Sequence, residues 1–416
     1  MTMHVRPKRQ RLTILSAVLA ALTVASAARG IEREIAVEVQ TVIGEPVAGR
    51  LISFSLRGGA VVQGNSDKRT IPAADIIRIA KRDTASPFAG VATAGMGDSE
   101  SWMITLARGD VLSGRVLGSR QESVVIGTSD LGDLPVPIEA LVRITSPRSA
   151  SGAHQQSFQW LDRAERMEED RVLLTNGDVL RGFISAIDAD GIVVDTAGGP
   201  TKAPYRLVVA ARLEHPPSPA TPRPYAILTL RDGARLTAIG IECAESSCEA
   251  VLGMGATVRF GADRLVTVDM IGGRWEWLSE HRPISYEQTP MLGLGWEFLA
   301  DRNVLGGPIT VSGKRYERGI GVHSRSKLVF ELNDAYREFV TSFAIDDDSG
   351  PSADVTVIIL VDGQRRFEKT QVRRGTLFGP VRIDVTHAGR IELLVDYGDN
   401  GDLQDRFAWV EPGLIR

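Results

Sequence analysis

Cysteine is almost missing from this chain: Cys243 and Cys248 are the only two among 416 residues. That rules out a disulfide scaffold, and with no histidine close by the pair makes a poor zinc site. There is no GxSxG elbow, no HExxH, no Walker loop and no CxxC. The commonest serine-hydrolase, metalloprotease, nucleotide-hydrolase and thioredoxin-like chemistries therefore have no footing here. Beyond the N-terminal leader no stretch is long and apolar enough to span a bilayer. Positive charge is also short, with a formal net charge of −4. An acidic chain is a poor partner for nucleic acid, whose binding rests on neutralising phosphates with Lys and Arg.

What is present begins with that leader. "MTMHVRPKRQR" carries four cations and no acid, and "LTILSAVLAALTVASAA" follows as an apolar run ending in small residues. Ala25-Ser26-Ala27 fits the small-residue cleavage rule, so residues 1–27 read as an export signal cut after Ala27. An uncleaved anchor is the alternative, but the run is short against the roughly 20 apolar residues a bilayer needs. Loss of the leader takes the formal charge from −4 to −8. The expected location is periplasmic, extracellular or at the cell surface, with no integral membrane span after the signal is removed. In such an oxidising compartment Cys243 and Cys248 could close one local disulfide; two free small hydrophobic thiols are the other reading.

The next 240 or so residues repeat themselves. "GEPVAGRLISFSLRGGAVVQG", "WMITLARGDVLSGRVLGSRQESVVIG", "RVLLTNGDVLRGFISAIDADGIVVD" and "AILTLRDGARLTAIGIECAESSCEAVLG" share one grammar of strand, tight turn, strand, polar turn and strand. Gly109-Asp110 and Asn176-Gly177-Asp178 suit such turns because Gly and Asn accept positive φ. Short apolar segments close most copies: "IPAADIIRIA", "VPIEALVRIT" and "FGADRLVTVD". The expectation is four small antiparallel β units, SH3-like or Sm-like barrels, over 31–83, 101–147, 170–213 and 225–270. Linkers are expected over 84–100, 145–157 and the proline-rich 214–224. "WLDRAERMEED" (160–170) is the one fair helix candidate.

The final third differs in kind. Residues 275–416 hold 15 of the 24 aromatic residues and four of the six tryptophans. Strands are legible at "KLVFEL", "REFVTSFAI", "DVTVIILVDG", "VRIDV" and "RIELLVDYG", spaced as in a β-sandwich. "VIIL", apolar at every position, reads as a strand buried on both faces. Trp275 and Trp277 alternate around Glu276, an arrangement that leaves room for one ring to face out. The glycines of "RGIGVHS" fail as a dinucleotide loop, since a strand follows where a phosphate site needs a helix N-terminus. They read better as permission for a tight backbone path. "DDDSG" and "DYGDNGDLQD" read as turn formers, with calcium as a lesser alternative and no catalytic role.

These residues carry a resemblance. Tyr316, Gly319, Gly321, His323, Phe339, Asp346, Asp347, Asp362, Gly363, Asp405 and Trp409 follow in order the pattern of the NPCBM family, first noticed in family 98 glycoside hydrolases. The resemblance covers about 273–416 and implies a galactose-binding-like sandwich (a jelly roll) that recognises sugars without cutting them. Arg406, Phe407 and Ala408 depart from the family's closing histidine, alanine and aspartate, and Glu411 stands for a later acid. Such a changed end loop would alter sugar preference or remove binding.

A sugar site pairs an aromatic platform with a few fixed polar groups. Trp296, His323, Tyr397, Asp405 and Arg406 are the candidates. Trp296 could equally plug the core, His323 could be a hydrogen-bonded structural residue, and Arg406 could sit in a salt bridge. Trp409, within a terminal strand, reads as core. The expected protein is all-β, not an enzyme, free of cofactor, and bound to a glycan. The β units then serve as a spacer or as a platform for a protein partner. A structural envelope protein whose sandwich has lost its sugar is the alternative. A glycoside hydrolase ranks last, because the β units leave no room for a barrel of typically about 250 residues.

Overall fold

The computed structural model describes residues 35–82, 101–120, 122–147, 169–214, 220–244, 246–291 and 295–416. The leader (1–27), the linker 84–100, most of 145–157, half of 214–224 and nearly all of the helix candidate 160–170 lie outside the described residues. Within them the chain is all-β, with single 3-10 turns as the only helical elements. No helix there is long and apolar enough to cross a membrane.

Four consecutive segments, 36–81, 102–145, 170–212 and 225–271, each fold as five antiparallel strands. The spatial order is the same in all four: the fifth strand lies beside the first, followed by the second, third and fourth. The first hairpin of each turns on a glycine in the left-handed region: Gly44 (φ 88°), Gly109 (78°), Gly177 (89°) and Gly233 (85°). A Cβ at Gly44, Gly109 or Gly177 would meet nothing within 4 Å, so it is the dihedral that calls for glycine there. A 3-10 turn, entered from Pro72, Pro137, Pro204 or Gly261, then delivers each closing strand.

The units pack into one body. The closing strand of the first, Ile76–Lys81, pairs with that of the fourth, Leu265–Ile271, from Ala80↔Thr267 to Arg78↔Asp269. The closing strand of the second, Leu141–Thr145, pairs likewise with Val208–Arg212 of the third. A single apolar cluster runs through all four. Asp110 of the second unit is buried and accepts the Thr237 amide (2.9 Å) and hydroxyl (2.7 Å) of the fourth. Cys243 and Cys248 face each other across a hairpin and are joined, buried in the same cluster.

Residues 275–415 form two stacked sheets. One runs Leu299–Ala300, Gly319–His323, Arg406–Ile415, Glu338–Ile345 and Phe378–Asp384, with Trp275–Trp277 also paired to Arg406–Ile415. The other runs Ser285–Gln288, Ser326–Glu331, Arg390–Tyr397, Asp354–Val361 and Gln364–Arg373. Between them Phe330, Phe339, Phe343, Phe407 and Trp409 are wholly buried. The glycines of "GIG" are needed for close approach. A Cβ on Gly319 would lie 2.7 Å from the Trp409 carbonyl, and one on Gly321 would lie 2.4 Å from that of Arg302.

Two local expectations change. In "VIIL" only alternate side chains are buried, Val357 and Ile359, while Ile358 and Leu360 are half-exposed. Their strand lies next to the sheet edge, and its outer face is only partly covered. Neither Trp275 nor Trp277 faces out: both are buried, packed edge to face at 5.1 Å. Their strand lies in a small cluster with Val42 and Ile77 of the first unit, Ile271 of the fourth, and Val340 and Ile415 of the sandwich. Arg78 strengthens that seam with Asp269 (2.5 Å) and Glu411 (3.6 Å).

Candidate functional site

The five candidate residues come from the loops and strand ends at one end of the sandwich. Strand Gly319–His323 pairs with Arg406–Ile415 so that His323 lies directly opposite Arg406. The indole of Trp296 stacks on the His323 imidazole, with ring centroids 5.1 Å apart and planes within 7°. Trp296, His323 and Arg406 are thus brought into one line. Trp296 is half-buried, so it is neither a free flap nor a core plug. Gln288 fixes it from behind: its Oε1 accepts the Trp296 amide (3.1 Å) and its Nε2 donates to the Ser324 carbonyl (2.9 Å). The Tyr286 hydroxyl donates to the Trp296 carbonyl at 2.6 Å.

His323 is buried. Burial holds its imidazole below the ordinary histidine value, and the neighbouring Arg406 charge works in the same direction. At neutral pH the ring is therefore uncharged. Its Nδ1 lies 3.2 Å from the Ser324 carbonyl, which can only accept, so the proton belongs on Nδ1 and Nε2 is left as an acceptor. Arg406 is half-buried, and its guanidinium donates to the Asp348 carbonyl. One face of the fork is anchored in this way, and its remaining N–H groups are available as donors.

The other two candidates hold the loops in place. Asp405 is fully buried, accepting the Ser324 hydroxyl (2.8 Å) and the Asp354 amide (3.1 Å). It therefore faces the loop interior and sets the path of the residues on either side. Tyr397 donates its hydroxyl to the Thr289 carbonyl (2.9 Å) and lies under the Arg325 guanidinium. Gln288, Ser324 and Asp354 do as much positioning as any candidate, yet sequence reasoning missed them. A lone amide, hydroxyl or acid in a polar loop carries no pattern.

The acid-rich turns use up their oxygens locally. Asp346 accepts the amides of Thr310 and Asp348, and Asp347 accepts those of Ser312 and Gly313. Among the described residues no three or more His, Cys, Asp or Glu side chains are grouped to hold a metal ion. A separate cleft of roughly 370 Å³, lined in part by Trp102, Tyr205 and Arg206, lies between the second and third units. Two of its polar groups are already engaged, Tyr205 with the Asp188 carbonyl (2.8 Å) and Asp190 with Lys202 (2.7 Å).

Asp405 makes the end loops sensitive to pH. Burial, aided by the charges of Asp402 and Asp354, pushes its carboxyl up from 3.8 to about 6. A group raised in the folded state binds more protons folded than unfolded between those values, so stability falls as pH rises through that window. Below about 4 the cost is absent; above about 6 it is complete and reaches at most about 3 kcal/mol. Asp405→Asn keeps the shape without the charge. It should flatten the wild-type decline between pH 4 and 6 in urea unfolding, and a variant that keeps the full slope would refute this account.

The NPCBM/NEW2 domain family matches residues 274–415. No curated protein matches the chain. Among solved structures, the CBM51 of Clostridium perfringens GH95 in complex with methyl-galactose is 24% identical, covers 34% of this chain and 99% of its own, and has a TM-score of 0.30. The CBM51-2 (with GlcNAc) and INT domains of C. perfringens ZmpB are 23% identical over 43% of this chain and 38% of theirs, with a TM-score of 0.31. The tandem CBM51 modules of Sp3GH98, the family 98 glycoside hydrolase of Streptococcus pneumoniae, are 10% identical over 75% and 87%, with a TM-score of 0.31.

Proposed function

From the NPCBM/NEW2 match over 274–415 we propose that the chain is an exported, non-catalytic protein whose C-terminal sandwich holds a carbohydrate of the galactose type. The observation that carries this reading is the Trp296–His323 stack standing beside Arg406. A pyranose offers one apolar face and a rim of hydroxyls. The indole supplies the platform, buried His323 backs it, and the Arg406 fork donates to the rim. Tyr397 and Asp405 keep the loops in register beneath the sugar. The domains are the export signal 1–27, the four repeated β units 31–83, 101–147, 170–213 and 225–270, and the sandwich 273–416. Residence in the periplasm, outside the cell or on its surface agrees with the leader and with the Cys243–Cys248 bond, since disulfides persist in oxidising compartments.

A glycan array with the full chain tests the reading. Binding of a galactoside is expected, with Trp296→Ala lowering affinity by more than about tenfold through loss of the stacking face, and Arg406→Ala by a similar factor. Silence of the array would sink it. The second reading, four units acting as a protein-interaction platform, is favoured by their shared core, which joins them into one continuous body. Stable capture of an envelope component with a silent array would support that instead. Release of reducing sugar by the whole chain would return the hydrolase reading.

A further inference from the structure

The strand Gln364–Arg373 is the edge of the five-stranded sheet, and Phe378–Asp384, reached through a short turn, is the edge of the sheet that faces it. Phe367 from the first and Phe378 from the second both pack on the Phe343 ring at 5.7 Å, so the two edges form one flank of the sandwich. That flank is strongly basic. Between 364 and 384, the span of the two edge strands, there are six cations, Arg365, Arg366, Lys369, Arg373, Arg374 and Arg382, against two acids, Glu368 and Asp384. All six are exposed, in a chain whose net charge is negative.

Three of the six are balanced at close range: Arg365 by Glu368, Arg382 by Glu338 (2.5 Å) and Arg373 by Asp354 (3.5 Å). Arg366, Lys369 and Arg374 form no ion pair among the described residues. Lys369 lies over the Phe378 ring at 5.5 Å, bridging the two edges. Arg366 acts across the same gap on Asp384, whose carboxyl is held below its ordinary value by the Thr386 amide and hydroxyl and also by Arg366. The charges follow the strand for about 30 Å at the usual rise per residue. Its Arg373 end lies against Asp354, whose amide binds Asp405 next to Arg406. The row therefore starts at the candidate sugar site and leads away from it.

Charged edges are a common defence against edge-to-edge pairing, and the two register shifts along this strand serve that purpose too. That defence needs charge but not one sign. We infer that this flank binds an acidic polysaccharide, a uronic-acid-type polymer whose regularly spaced carboxylates lie along the cationic row as one of its residues occupies the loop end. Nucleic acid is the rival polyanion; the overall negative charge disfavours both alike, and the saccharide is preferred because the row adjoins the Trp296–His323–Arg406 end of the sandwich. The inference extends the carbohydrate-binding reading above and relies on it for the kind of polymer.

The test measures binding of the full chain to polygalacturonate, to methyl galactoside and to double-stranded DNA at low and moderate salt. Polygalacturonate should bind and weaken steeply as salt screens the flank. The triple variant Arg366→Gln/Lys369→Gln/Arg374→Gln should lose roughly tenfold or more in that affinity while keeping the galactoside affinity and the melting curve. Glu368→Gln, which removes the one acid on the Gln364–Arg373 strand, should tighten polygalacturonate binding by about two- to threefold. Unchanged polygalacturonate affinity in the triple variant, or DNA bound as tightly as polygalacturonate, overturns the inference. Charge-dependent polygalacturonate binding by a wild type that ignores the galactoside would support the flank and overturn the loop-end reading instead.

Discussion

Phe343→Ala is expected to cost the sandwich about 3–5 kcal/mol, from lost transfer energy and the cavity left in a close-packed core. Phe343 is fully buried at the meeting point of four other rings: Phe367 and Phe378 at 5.7 Å, and Phe407 and Trp409 at 6.1 Å. These rings come from both sheets and from both edge strands of the basic flank. The gap cannot collapse easily, because Phe407 and Trp409 are held in a strand paired on both sides. Phe343→Leu fills most of the volume and should recover more than half of the loss. Denaturant unfolding followed by sandwich tryptophan fluorescence reads the difference. A cost for the alanine variant below about 1 kcal/mol would mean the two sheets do not meet over this ring.

The parts of the fold that could be seen in the sequence are those decided within a few residues. Gly109-Asp110 and Asn176-Gly177-Asp178 announce hairpins because the left-handed dihedral is a local demand. Alternation along Leu328, Phe330 and Leu332 marks the buried face of a strand, and all three are buried. What could not be seen depends on partners far along the chain. Nothing in "IIRIAK" indicates that it pairs with a strand some 190 residues later, nor does "VIIL" disclose that a basic edge strand lies beside it. "WEW" was misleading for the same reason. Alternation assumes one wet face, and this strand lies in a cluster shared with the first and fourth units.

The candidate site divides in a similar way. Trp296, His323 and Arg406 stand out by chemical type, and the structure places them together. Asp405 stands out equally, but its carboxylate points inward to Ser324 and the Asp354 amide. Motif position brings a residue to the right loop; it does not say whether the side chain faces the ligand or the loop. Gln288 shows the converse, being essential to the pose of Trp296 and invisible in the sequence.

Glu276→Leu should lower stability by about 3 kcal/mol at neutral pH, since removing one partner of a buried charge network strands the others. Its Oε1 accepts Arg416 at 2.7 and 3.0 Å and Arg223 at 3.3 Å, while Oε2 accepts the Tyr336 hydroxyl at 2.6 Å and lies 3.3 Å from His281 Nε2. Arg223 precedes the fourth β unit, so this carboxylate binds the sandwich to the rest of the chain. Arg416 and Arg223 are half-exposed and can turn to water, which keeps the expected loss at the low end for a buried pair. The stranded group that cannot escape is the buried Tyr336 hydroxyl. Burial alone would push the Glu276 carboxyl up, but the Tyr336 and Arg416 hydrogen bonds, with the charges of Arg416 and His281, outweigh it and hold the value below 4.5. A depressed carboxyl contributes stability above its unfolded value and loses it as pH falls through the folded one. The gap between wild type and Glu276→Leu should therefore be full at pH 7 and narrow below about 4.5. Glu276→Gln, which can still accept from Tyr336, should lose about half as much. A gap that stays constant with pH would show that Glu276 acts by packing between Trp275 and Trp277 and not by its charge.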